Sequence, residues 1–158
     1  MKTDINPIFI GGCPRSGTTM LADLLSRHDK ISFVPEVAFK FPLLRKINKS
    51  KTKIDPEELI SLIKKHPKSS VYNYNLELDF NRLDIIDNYQ LGKFILTKIY
   101  KQFIDQKKLK KPHYIVDHTP SNLKIASSLY KTFPKSKFIH LVRDGRGVFS
   151  SIKKLPWG

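Results

Sequence analysis

An apolar run, Asn6–Gly11, gives way to Gly12-Cys13-Pro14-Arg15-Ser16-Gly17-Thr18-Thr19 and then to leucines at helical spacing. This passage constrains the fold more than any other part of the chain. The run NPIFIG is short and apolar, as a buried strand is. Met20, Leu21, Leu24 and Leu25 then recur with a helical period, which predicts a helix over Thr18–Arg27. A glycine-rich loop between a strand and a helix presents backbone N–H groups and the positive end of the helix dipole, both suited to phosphate oxygens. The frame is G-x-x-x-x-G-T-T. A nucleoside-triphosphate loop carries Lys where Thr18 stands, to serve the β- and γ-phosphates. Its loss argues against ordinary ATPase or kinase chemistry and for a phosphate-like group with no γ-phosphate to handle. Arg15 adds a planar fork suited to phosphate or sulfate oxygens. A structural turn would need the glycines but neither the arginine nor the paired threonines.

Beyond this passage, strands and helices alternate. Ile31–Val34 reads as a second strand ended by Pro35. Asp55-Pro56-Glu57-Glu58 is a helix start, with a capping Asp, Pro at the first position and acids in the first turn, running to about Lys65. Val71–Asp87 shows no strong period. Tyr89–Gln106 predicts a long amphipathic helix with Leu91, Phe94, Ile95, Ile99 and Phe103 on one face. Then come a strand at His113–Val116, a helix at Ser121–Phe133, a strand at Lys137–Val142, and a helix from Asp144 to about Lys154. This alternation predicts an α/β fold: a P-loop-type parallel sheet flanked by helices. Residues 1–158 are expected to form one domain, with no internal repeat. Only three or four strands are visible, few for a doubly wound sheet, so a C-terminal part is expected to be missing.

A second constellation, Arg143-Asp144-Gly145-Arg146-Gly147-Val148-Phe149-Ser150-Ser151, follows a strand and opens a helix. Arg143 falls at the strand's C-terminal end, where α/β folds place ligand-binding groups. Ser151, eight residues on, is about two helical turns away. An Arg and a Ser so placed could grip a second phosphate. The formal charge of +15 favours anionic partners. The basic residues are scattered, though, and the densest cluster, Arg45–Lys53, reads as an exposed loop, so nucleic acid is not the expected partner. One cysteine, Cys13, allows no internal disulfide framework. No apolar run reaches the ~20 residues of a membrane helix, and the N-terminus has no signal-peptide core. A cytoplasmic protein away from membranes is the expectation.

The two constellations carry a resemblance. Pro14–Thr19 is similar to the 5′-phosphosulfate loop of sulfotransferases, and Arg143–Ser151 to that family's 3′-phosphate motif, each at the expected strand-to-helix junction. The resemblance covers roughly residues 6–40 and 112–154. It implies a donor, 3′-phosphoadenosine 5′-phosphosulfate, whose 5′ end is held by Arg15, Ser16, Gly17, Thr18 and Thr19 and whose 3′-phosphate is held by Arg143 and Ser151. The Arg-Ser-Gly-Thr-Thr variant with the later Arg-Asp-Gly-Arg most resembles the tyrosylprotein branch and its bacterial relatives. Glu36 falls 21 residues after Arg15, where that branch carries its general base. Transfer to a hydroxyl needs a group to take the proton. Asp117-His118-Thr119-Pro120 stands where related enzymes carry Lys-Thr-Pro or Lys-Asp-Pro, the lysine near the bridging oxygen. His118 takes the lysine's place and, if protonated, could donate to the leaving group.

The resemblance therefore implies in-line sulfuryl transfer to an acceptor hydroxyl on tyrosine, carbohydrate or a small molecule. Arg15 and the loop amides would stabilise the leaving phosphate, Glu36 would act as base and His118 would assist. No His/Cys/Asp cluster has metal-ligand spacing, so no metal is expected. The competing readings are a P-loop nucleotide kinase-like enzyme using ATP and Mg²⁺, and an inactive nucleotide-binding fragment. The sequence leaves the oligomeric state open.

Overall fold

The computed structural model describes residues 5–72, 87–108 and 112–156. The stretch expected to lack a strong period, Val71–Asp87, lies mostly outside the described residues. The elements run β1 (Asn6–Gly12), α1 (Thr18–Ser26), β2 (Ile31–Val34), α2 (Lys40–Lys49), α3 (Pro56–Lys64), a 3-10 helix (Pro67–Tyr72), α4 (Asn88–Gln106), β3 (Tyr114–Asp117), a second 3-10 helix (Pro120–Ile125), α5 (Ala126–Thr132), β4 (Lys137–Leu141) and α6 (Gly145–Ile152). The four strands form one parallel sheet in the order β2-β3-β1-β4. Ile8 of β1 faces Val116 on one side and Lys137 on the other. The predicted α/β fold, a parallel sheet flanked by helices, is the one observed.

Because successive side chains of a strand point to opposite faces, the alternation along β1 feeds two cores. Phe9 joins the larger one, with Leu43, Leu44, Leu91, Ile95 and Phe133 from α2, α4 and the end of α5. Ile10 joins the smaller one with Ala22 of α1 and Val116 of β3. The C-terminal ends of β1, β3 and β4 lie at the same edge of the sheet.

Two helices differ from the sequence expectation. Arg45–Lys49, expected in an exposed loop, lies in the last turns of α2, whose Leu43, Leu44 and Ile47 are buried in the larger core. The basic residues hold the solvent face of an amphipathic helix, and their density hid its short apolar stripe. Ser121–Phe133, expected as one helix, is a 3-10 segment followed by α5, with the break at Ile125 (φ −124°, ψ 20°). The segment is drawn onto β1: the Asn122 Nδ2 amide donates to Ile10 O at 2.9 Å and to Asp117 O at 2.8 Å. A Cβ on Gly11 would lie 2.7 Å from Leu123 Cγ, so the approach requires glycine there.

Candidate active site

A cleft of about 680 Å³ lies at the C-terminal edge of the sheet. Its walls come from the β1–α1 loop, the turn after β2, the start of the second 3-10 helix, and the β4–α6 junction. This is where open α/β sheets bind ligands.

The loop is a compact turn, closed by a hydrogen bond from Ser16 N to Cys13 O at 3.1 Å. Two of its residues have left-handed backbones: Arg15 at φ 70° and Gly17 at φ 98°. Glycine takes that conformation freely, whereas at Arg15 it is uncommon and holds the side chain in an unusual direction. Gly17 precedes the first turn of α1, which has no side-chain cap and no acidic residue. Its leading N–H groups therefore have no competing carboxylate of their own. The Ser16 hydroxyl is buried, has no hydrogen-bond partner among the described residues, and does not line the cleft.

The two constellations expected to hold phosphates meet directly. Arg143 Nη1 donates to Arg15 O at 2.9 Å, and Arg15 Nε donates to Ser151 Oγ at 2.9 Å. Asp144 caps α6, accepting from Arg146 N at 2.9 Å, and so fixes the helix that carries Ser151. Arg15, Thr18, Thr19, Arg143 and Ser151 all line the cleft. Glu36, in the turn after β2, lines the same cleft and pairs with Lys68 at 2.7 Å.

His118 stands elsewhere. Its residue is 4% exposed and its ring packs edge-on against Phe33, centroids 5.7 Å apart, off the cleft wall. Burial pushes its pKa below the ordinary value, outweighing the nearby Asp117 carboxylate. The imidazole is therefore neutral at neutral pH, with Nδ1 unpartnered among the described residues. The expected charged donor at the leaving group is not what the fold delivers, because β3 turns that side chain toward β2.

Four groups went unread in the sequence. Lys68 and Lys124 bring cations to the cleft, and nothing in their surroundings, His66-Pro67-Lys68 and Leu123-Lys124, singles them out. Lys40 and Asp117 form a buried ion pair at 2.8 Å, 1% and 0% exposed in their side chains. Burial disfavours the Asp117 carboxylate's charge, but Lys40 and two bonds from Thr119 outweigh it and hold its pKa below the usual range. A lysine between Phe39 and Phe41 in an otherwise apolar stretch was the available signal.

Among the described residues no group of His, Cys, Asp and Glu side chains could hold a metal ion, and no helix is long and apolar enough to cross a membrane. A family model described as "Sulfotransferase family" matches residues 7–158. The chain is similar to Nodulation protein NoeE of Sinorhizobium fredii, 26% identical over all of this chain and 34% of the relative. It is similar to Protein-tyrosine sulfotransferase 2 of Gallus gallus, 29% identical over 92% of this chain and 33% of the relative. It is also similar to Protein-tyrosine sulfotransferase 1 of Homo sapiens, 28% identical over 94% and 34% respectively. The chain spans about a third of the length of these curated relatives.

Proposed function

Since the chain belongs to the sulfotransferase family, we propose that it carries the donor half of a site that moves a sulfuryl group from 3′-phosphoadenosine 5′-phosphosulfate to an acceptor hydroxyl. The observation that supports this most is the contact of Arg15 with both Arg143 and Ser151. It joins a loop suited to a 5′-phosphosulfate and a pair suited to a 3′-phosphate in one cleft. Arg15, Ser16, Gly17, Thr18 and Thr19 hold the 5′ end. Arg143 and Ser151 hold the 3′-phosphate.

In the reaction the acceptor oxygen bonds to sulfur as the bond from sulfur to the bridging oxygen breaks. Adenosine 3′,5′-bisphosphate leaves. Arg15 and the α1 amides stabilise charge that grows on the leaving phosphate, and the acceptor proton passes to the Glu36 carboxylate. Lys68, paired to Glu36, stands at the same wall and adds positive charge near the transferring group. The cleft orients donor and acceptor, which is where the catalytic gain in such transfers resides. The names of the protein-tyrosine relatives point to a tyrosine hydroxyl as acceptor.

The test is ligand choice. Adenosine 3′,5′-bisphosphate should raise the melting temperature more than ATP with Mg²⁺ at the same concentration, since at equal concentration the tighter ligand stabilises the folded state more. Equal or greater stabilisation by ATP and Mg²⁺ overturns the reading in favour of a nucleotide kinase-like site.

A further inference from the structure

Directly behind Glu36 lies a buried polar cluster that the proposed donor chemistry does not use. Lys40 Nζ reaches Asp117 Oδ1 at 3.0 Å, Asp117 Oδ2 at 2.8 Å, Thr119 Oγ1 at 2.9 Å and Val37 O at 3.3 Å. The Thr119 hydroxyl donates to Asp117 Oδ1 at 2.6 Å and accepts from Val37 N at 2.9 Å. Tyr100 donates its hydroxyl to Asp117 Oδ2 at 2.9 Å from α4. Both polar groups of the Val37 backbone are therefore gripped by side chains, the N–H by Thr119 and the C=O by Lys40. Val37 is the residue after Glu36. Thr119 itself, with Pro120 and Ser121 after it, lines the same cleft as Glu36. One hydroxyl thus ties the segment after β2 to the segment after β3.

Stability alone is a poor explanation for such a cluster. A buried ion pair gives little or nothing over well-packed apolar side chains of the same volume. What a satisfied network supplies is a fixed geometry. We propose that Thr119, held by Lys40 and Asp117, is a positioning residue that fixes the Glu36 carboxylate through the Val37 peptide. This rests on the reading of Glu36 as general base. The Val37 N–H and C=O lie on the peptide units flanking its own Cα, and the first of these is the peptide joining it to Glu36. Holding that peptide sets the direction of the Glu36 Cα–Cβ bond. A misplacement of about 1 Å at a reacting group can cost on the order of 10²-fold in rate.

The test is a double-mutant cycle in the complete protein, read as transfer of radiolabelled sulfate to a tyrosyl peptide, a simple phenol and an oligosaccharide. Thr119→Val keeps the shape and removes the hydroxyl. It should lower kcat by roughly 10- to 100-fold with the Kd for adenosine 3′,5′-bisphosphate unchanged, and Thr119→Ser should restore most of the loss. In a Glu36→Gln background the Thr119→Val effect should largely vanish, because coupled residues are non-additive. Equal loss in both backgrounds overturns the proposal and leaves the Glu36 reading standing. Normal turnover in Glu36→Gln alone, or no transfer to any of the three acceptors by the unmodified protein, removes that reading and this proposal with it. Should Thr119→Val fail to fold, Thr119→Ala, with room for a water in the hydroxyl's place, takes its position in the cycle.

Discussion

Beneath the cleft, Lys40, Asp117, Tyr100 and Thr119 are buried and bonded to one another several times over, whereas at its rim Arg15, Arg143 and Ser151 are joined by two hydrogen bonds at exposed positions. The same residue chemistry, cations with oxygen partners, serves opposite ends. In the floor every bond replaces water that cannot return, so removing one partner strands the other. At the rim water competes on equal terms and each bond contributes little. A ligand oxygen can take over the rim bonds at small cost, and the floor cannot rearrange to meet a ligand at all. Under the proposed reading, the carboxylate that needs fixed aim stands over the floor, and the groups that would exchange one partner for another stand at the rim.

The sharpest way to break this contrast is Lys40→Met. It leaves the Asp117 carboxylate buried without its cation, and breaking a buried pair from one side costs about 3–5 kcal/mol. Urea denaturation at neutral pH measures it. A loss within about 0.5 kcal/mol, the range of surface substitutions, would show that water reaches the floor after all.

At the rim, Arg143→Ala should leave stability within about 0.5 kcal/mol of the parent. It should weaken adenosine 3′,5′-bisphosphate by roughly 10- to 100-fold, the worth of a charge-assisted hydrogen bond of about 1.5–3 kcal/mol. Calorimetry with 5′-AMP, which has no 3′-phosphate, should show a smaller loss, since only the bond to Arg15 O is removed. Equal losses for the two nucleotides would make Arg143 a brace for the loop and not a ligand group.

The smallest effect concerns pH. Burial keeps the folded His118 pKa below its ordinary value, so near pH 6.5 the unfolded chain takes a proton that the folded chain refuses. Stability is therefore lost as pH falls from about 6.5 towards the folded pKa. Asp117, with its carboxyl pKa depressed, adds a separate loss below about pH 3.9 as the pH approaches its own folded value. Denaturation midpoints measured from pH 7.5 down to pH 5 should slope downward, and His118→Phe should flatten that slope. His66, shifted in the same direction, leaves a residual slope. An unchanged slope would mean that His118 is as well hydrated in the folded chain as in the unfolded one.

How much was legible divides along the same line. The rim was readable because a strand-to-helix junction with glycines and arginine is a local pattern, and Arg15 and Arg143 each sit in one. That they touch is a property of β1 and β4 being neighbours, which their parallel alternation allowed but did not specify. The floor was not readable. Lys40 and Asp117 lie 77 positions apart, and the flanking Phe39 and Phe41 that set Lys40 in an apolar stretch do not name its partner. The charge density of Arg45–Lys53 reads as a loop, which passes over the end of α2 and its apolar stripe. His118 was assigned from its motif position, and motif position does not say which face of a strand end a side chain takes. A strand's alternation decides that, and it sends Asp117 and His118 to opposite sides.

The central place of β1 also sets a timetable. It is hydrogen-bonded along one edge to β3 and along the other to β4, both of which emerge from the ribosome long after it. Arg15 waits longer still, for Ser151, 136 positions on. At roughly 5–20 residues per second of synthesis, that interval is on the order of ten seconds. For most of it β1 has neither neighbour to pair with, and its unpaired edges are open to other chains. Such long-range pairings also slow folding once the chain is complete. A ligand held, as proposed, by both strand-to-helix junctions cannot shorten the wait, because they do not share a cleft until β4 and α6 have docked. Yield in a cell should therefore respond to chaperone supply and growth temperature before it responds to donor concentration.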